Sequence, residues 1–378
     1  MNVPINFCVL DNRDKKELGQ ATVSGYKRSD IKKELNKSML KGDIVKTCDL
    51  SAELLASGCG NMVWDIIIEI SSNYINNPKI FSWLLFNYKK YKKIENLFTK
   101  KIEIRNNQEI RNLIVDVSVV LSMHDKDKKR FKSLPVVYDD DFLNKNISKN
   151  IVMKNFIIEE HMSDYDQKEV KIAINEIAFY LKKSNTPLRN AIYWYLWLIK
   201  LEKFKKKNKI NFECKERNVN NISKKNCKDW IWLLWVVIID IAKNKNNSLL
   251  LQEITSIFLL FIMDYKISSK VSRKNLIFNA MYIIKEQSRW DKPLVKKYSV
   301  RIQACANINS IYRDILLNIV RNSQYDSQHY EILYKELKKS IIKINHKELD
   351  AEKVKERMEY LHNFVPKKYH DNIIHYFT

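Results

Sequence analysis

Between Gly42 and Gly60 the chain reads GDIVKTCDLSAELLASGCG, and there its supply of glycine ends. Asp43 is a helix-capping residue. Ile44, Thr47/Cys48, Ser51 and Leu54/Leu55 fall on one face at helical spacing, and Gly58 stops the run. The other two glycines, Gly19 and Gly25, lie upstream, and from Asn61 to Thr378 there is none. Average usage would place about 26 in a chain of this length. Glycine supplies the left-handed backbone of tight hairpins and lets backbone approach a phosphate closely. A Walker loop, a dinucleotide fingerprint and a nucleophile elbow all need it, so those chemistries are excluded. Sheets also draw on glycine for turns and bulges. The expectation is therefore an all-α protein of two helical modules.

Upstream of this stretch, residues 1–28 read as an irregular N-terminal arm, and Ser29-Asp30 form an N-cap pair for a helix through Leu40. Downstream, helices are predicted over 61–74, 79–97 and 108–123, with Asn77-Pro78 as a break. Residues 29–124 thus form a helical bundle. Residues 125–165, which open on DKDKKR and hold one strand-like stretch at Val136-Val137-Tyr138, read as a linker or an extended wrap. A second module is predicted over 166–345. It holds a helix at 170–181, a turn with Thr186 as N-cap and Pro187 at the first helical position, and an aromatic helix around Tyr193–Trp197. Asp229 caps a helix over 230–243, and further helices follow near 247–265, 272–288, 297–321 and 326–344. Residues 346–378 carry an amphipathic helix, with Leu349, Val354, Met358 and Leu361 as its apolar positions, and a tail. The most apolar stretches, 230–242 and 249–263, fall short of the roughly 20 residues of a bilayer span, so no transmembrane segment is expected.

Charge is the second strong signal. Sixty-seven Lys and Arg stand against 44 Asp and Glu, a formal +23. This excess points to an acidic partner, although heavy use of Lys, Asn, Ile and Tyr is what an AT-rich genome produces, and that bias alone inflates lysine. The excess is uneven. Residues 200–229 carry eleven cations against four acids and residues 266–301 ten against two, while the tail from His346 carries six of each. Three clusters stand out as a phosphate-tracking surface. The first is Lys89, Lys90, Lys92 and Lys93 around Tyr88 and Tyr91. The second is Lys203, Lys205, Lys206, Lys207, Lys209, Lys215 and Arg217, continued by Lys224 and Lys225. The third is Lys270, Arg273, Lys274, Lys296, Lys297 and Arg301. The bland alternative for each is a solvated face. Aromatics Tyr193/Trp197 and Trp232/Trp235 flank the second cluster, where they either stack bases or, as large aromatics at helical spacing more often do, fill the core.

No residues assemble a catalytic signature. Asp125/Asp127, Asp139-Asp140-Asp141 and Asp164/Asp166 sit in stretches read as turns, where clustered acids are solvated. Cys214 and Cys227 lack CxxC partners, and His370 and His375 lie near the end of the chain. Glu159-Glu160-His161 is the one tight acid–histidine cluster and reads as exposed loop. No metal, cofactor or catalytic residue is therefore expected, and the protein is read as not an enzyme. The six cysteines are widely spaced, and the N-terminus lacks the apolar core of a secretory signal. Both suit a reducing compartment.

Within residues 33–78, Lys37-Ser38, Lys41-Gly42-Asp43, Ala52-Glu53-Leu54 and Ile67–Ser71 fall in register with a known pattern. They resemble the helical collar that follows the ATPase core in RarA/MgsA-type, clamp-loader-like proteins. The collar's Tyr-Trp is replaced here by Asp49-Leu50, and its closing glycine is missing. No GxxxxGK[ST] is present, so the ATPase core of that class is absent. The whole chain is also similar to uncharacterised helical proteins of nucleocytoplasmic large DNA viruses. The stretches that carry this likeness are 37–43, 110–113, 173–178, Tyr193-Trp194 and 230–232. These resemblances imply a viral scaffold in DNA replication or genome organisation, in the host cytoplasm (a viral factory) or nucleus. Its partners would be nucleic acid, DNA foremost, together with other copies of itself or other viral proteins. A virion structural or assembly protein, packaged in the particle and facing acidic proteins or an inner membrane, is the alternative.

Overall fold

The computed structural model describes residues 7–322 except 10, 12, 14, 100, 128–130, 132–133, 137–150, 154, 287–289 and 295–297. Asp139–Asp141, Val137-Tyr138, Lys296, Lys297, His370, His375 and the helices expected beyond residue 322 lie outside them. Among the described residues there is no β-sheet, and the one isolated bridge pairs Ala21 with Lys27. The fold is all-α.

Five helices come first in the chain: α1 (Arg28–Lys41), α2 (Ile44–Ala56), α3 (Gly60–Tyr74), α4 (Ile80–Glu95) and α5 (Gln108–Met123). Helix α1 ends at Gly42, whose φ of 76° satisfies a left-handed cap, and the Asp43 side chain accepts from Lys46 N to open α2. Ser29 and Asp30 sit inside the first turn of α1 rather than at its cap, where Asp30 faces the positive end of the helix dipole. Gly60 is demanded by packing. A Cβ there would meet the Tyr91 hydroxyl oxygen at 2.3 Å.

The later helices are α6 (Lys168–Lys182), α7 (Leu188–Lys207), α8 (Ile231–Lys243), α9 (Ser248–Ile262), the single turn α10 (Ser269–Ser272), α11 (Lys274–Lys285), α12 (Tyr298–Ala306) and α13 (Ile308–Asn322). Past residue 60 the left-handed turns fall to Lys209, Asn221, Asn246 and Asp264, the last three being types that tolerate positive φ. Thr186 does not cap α7. Its hydroxyl donates instead to the carbonyls of Tyr180 and Lys183 at the end of α6. The helix expected over 297–321 breaks at Asn307 into α12 and α13.

The chain divides into two units. One comprises Met1–Ile67, Tyr91–His124 and Val295–Thr378, the other Ile68–Lys90 and Asp125–Leu294. This division departs from the modules expected at 29–124 and 166–345, for reasons visible in each core.

In the first unit, Cys48, Ala52 and Ala56 of α2 and Val115 and Val119 of α5 pack against Ile308, Tyr312, Ile315, Leu316 and Ile319 of α13. Val9, Leu18 and Val23 join the same core, so the described part of the N-terminal arm is anchored to it by single buried side chains. Arg111 is fully buried with its guanidinium 3.4 Å from the Tyr312 ring centroid, and it donates to the carbonyls of Arg105 and Phe7.

The second unit is built on the pairs α6–α7, α8–α9 and α9–α11. Glu253 of α9 reaches the start of α4, accepting from Phe81 N at 2.6 Å and Ser82 N at 3.1 Å. Asn279 of α11 donates to Ser72 O. These contacts tie residues 68–90 to this unit. The described part of 125–165 is bound down as well, contrary to the linker reading. Val152 N and Met153 N donate to Glu176, Ile157 N donates to Asn175, and the Phe131 ring sits 5.7 Å from that of Phe278. Trp232 and Trp235 fill the core, as the packing alternative had it. On α7 the fully buried aromatics are Trp194, Tyr195 and Trp197, while Tyr193 is only half-buried. No described helix is long and apolar enough to cross a membrane.

Candidate nucleic-acid interface

Helix α7 changes character along its length. Ala191, Ile192, Trp194, Tyr195, Trp197, Leu198 and Leu201 are buried, and the last turn then becomes Lys205-Lys206-Lys207. Cations at a helix C-terminus lie against its negative dipole end, so the local sequence suits the position. Lys209 takes the left-handed conformation (φ 56°), and Ile210 N closes the end on Lys205 O at 2.8 Å.

The loop beyond it is held in place. Its two arms run antiparallel, with Cys214 N donating to Lys228 O and Arg217 N to Cys227 O. Cys214 and Cys227 turn inward and are buried. Arg217 grips Asp166 with two hydrogen bonds of 2.9 and 2.7 Å and also donates to His161 O. Asp166 accepts in turn from Lys215 N and Ser163 N. Burial acts to raise the Asp166 pKa. The bonds and charge of Arg217, with those two amides, outweigh it and hold the carboxyl below its ordinary range.

The second cluster is therefore partly structural and partly available. Arg217 is the clamp, and Lys205 pairs with Glu169 at 3.0 Å. Lys203, Lys206, Lys207, Lys209, Lys215, Lys224 and Lys225 are all exposed and, among the described residues, make no ion pair. They occupy one helix end and the loop that folds back from it. Tyr165, 82% exposed, precedes the Asp166 clamp. Sequence reasoning looked for stacking aromatics on helices and passed over this one. Its signal was a lone tyrosine between two acids in a turn.

The third cluster dissolves. Lys270 is 2% exposed and cannot meet a ligand, because its ammonium lies 2.6 Å from both Glu202 and Asp229. Trp230 Nε1 donates to Glu202, the Tyr265 hydroxyl donates to Asp229, and the Trp230 ring lies beneath the Lys270 ammonium. Burial, with Glu202 alongside, pushes the Asp229 carboxyl up against the pull of Lys270. Arg273 donates to the carbonyls of Phe261 and Met263 at the end of α9. Arg301, in the first unit, makes a two-pronged pair with Asp116. Lys274 alone of the described members is half-exposed and unpaired.

The first cluster lies along α4. Lys89 and Lys93 are exposed one helical turn apart, and Lys90 is half-buried. Lys92 bonds Glu95 at 2.7 Å and Asn61 at 3.2 Å. Tyr91 is buried against Trp64 rather than available for stacking.

Comparison with known protein families, curated proteins and solved structures finds no match.

Proposed function

We propose that the chain is a non-enzymatic scaffold that grips nucleic acid by its phosphates without reading its bases. The observation that carries this is the set of seven exposed lysines from Lys203 to Lys225, without an ion pair among the described residues, presented on a helix end and a loop pinned by the Asp166–Arg217 clamp. A pinned loop loses little conformational freedom on binding, so its charge is available to the ligand at low entropic cost. The exposed ring of Tyr165 offers a face for one unpaired base. The resemblance of residues 33–78 to clamp-loader collars, and of the chain to large-DNA-virus proteins, motivates a role in viral DNA replication or genome organisation.

Fluorescence anisotropy with unrelated DNA sequences over a range of salt tests the reading. Each phosphate contact contributes about 0.9 to the slope of log K against log salt, so seven contacts give a slope of about −6. Replacing Lys206, Lys207 and Lys209 with Gln should flatten it by about 3 units and weaken all sequences alike. Binding that is absent at low salt, or indifferent to salt, refutes the proposal.

A further inference from the structure

Three metal-ligating side chains converge where a short 3₁₀ turn, Glu159–His161, meets α8. His161 Nε2 lies 3.3 Å from Asp240 Oδ2 and 3.7 Å from Glu160 Oε1. One ligand atom from each of the three falls within 4.8 Å of the others. We propose that Glu160, His161 and Asp240 bind a divalent cation of the zinc class.

The electrostatics ask for a cation. Two carboxylates and an imidazole point together, and among the described residues the buried Nε2 makes no hydrogen bond despite the two oxygens close by. An imidazolium paired with these carboxylates would aim its N–H at one of them, and neither oxygen lies in hydrogen-bonding geometry. A metal accounts for this arrangement. In a tetrahedral site with bonds of about 2.0–2.1 Å, neighbouring ligand atoms stand roughly 3.3–3.4 Å apart. Each then lies roughly 35° off the lone-pair axis of the next, too far for a good hydrogen bond. The observed 3.3 Å matches such an edge. Glu160 is 64% exposed, so rotation of its side chain closes the remaining edges.

The surroundings hold the ligands in place. Arg217 donates to His161 O and His161 N donates to Ile158 O, with Ile158 buried beneath the turn. Asn244, the residue that caps the end of α8, donates to Asp240 Oδ2 and orients that carboxylate, as outer-shell partners do in metal sites. One imidazole nitrogen and two carboxylate oxygens suit zinc, and three protein ligands leave a position open to water or a ligand oxygen. The turn and α8 are far apart in sequence, so spacing alone gave no hint of the site.

The test uses the full chain stripped with chelator. Calorimetric titration with Zn²⁺ should show one equivalent bound, and Co²⁺ should give the visible absorption of a tetrahedral N/O site. His161→Gln and Asp240→Asn should each weaken binding by at least roughly tenfold, with helicity unchanged by circular dichroism. Glu160→Gln, at an exposed position that folding does not depend on, should weaken it as well. No Zn²⁺ binding, or wild-type affinity in these variants, overturns the proposal. So does a thiolate-to-Co²⁺ charge-transfer band, which would put the metal on a cysteine.

Discussion

Glu253 shows how much a single side chain carries. It is 1% exposed, yet it supplies the acceptor for the first amides of α4 from a helix far along the chain. Burial pushes its carboxyl up to about 8, against the opposing bonds from Ser82 and Phe81. The folded state therefore binds a proton between the ordinary carboxylate range and pH 8 that the unfolded state has lost. Stability contributed by this residue is present below that window and falls as pH rises through it. Urea unfolding at pH 6 and pH 9 should show a loss on the order of 2–3 kcal/mol, the part of the shift that lies above pH 6. Glu253→Gln should abolish that pH dependence; an unchanged slope would show that another group is responsible. At this scale the sequence was hardest to read. Lys270 and Arg301 looked like free surface cations because Glu202, Asp229 and Asp116 that hold them are remote in the chain, and Arg273 because its partners are backbone carbonyls at the end of α9, which carry no charge to mark them. Lys206 and Lys224 carry the same charge and remain free, and nothing local in the sequence separates the two groups.

Helices were far more legible. Apolar positions at helical spacing located α2, α5 and α8 to within a residue or two, because a buried face imposes that spacing whatever the partner. Caps were less so: Asp43 caps α2 as its position suggests, whereas Thr186 turns back to α6 because the carbonyls of Tyr180 and Lys183 lie within reach. The crossing of α3 and α4 at Gly60 gives an element-level prediction. Gly60→Ala sets a methyl against the Tyr91 hydroxyl and should cost about 1–3 kcal/mol, as overpacking does. Tyr91→Phe removes the clashing oxygen, and Glu95 keeps its bond to Lys92. The double variant should therefore recover part of the loss, a coupling that denaturant melts of the four proteins would measure. Strict additivity would mean the two side chains do not press on each other.

For the whole molecule, the all-α architecture followed from missing glycine, but the partition into units did not. Periodicity marks which face of a helix is buried and is silent on what covers it. The core of α2 and α5 is completed by Tyr312 and its neighbours on α13, and residues 68–90 are completed by α9 and α11. A fragment ending at residue 124, which the sequence suggested as a module, should therefore lack a cooperative melt and bind a hydrophobic dye. A sharp thermal transition in that fragment would contradict this account.

The interleaving of the two units also orders events at the ribosome. Translation releases the chain from its N-terminus, so every residue of the unit ending at Leu294 emerges before α12 and α13 exist. The inserted unit should mature first, while α2, made early, waits with its apolar face uncovered for the last described helix. Lengthening the fragment series to residue 294 should show protease resistance arising in 168–285 before it appears in 44–56. A helix made early is thus among the last to close, which makes α2 a segment in need of a chaperone.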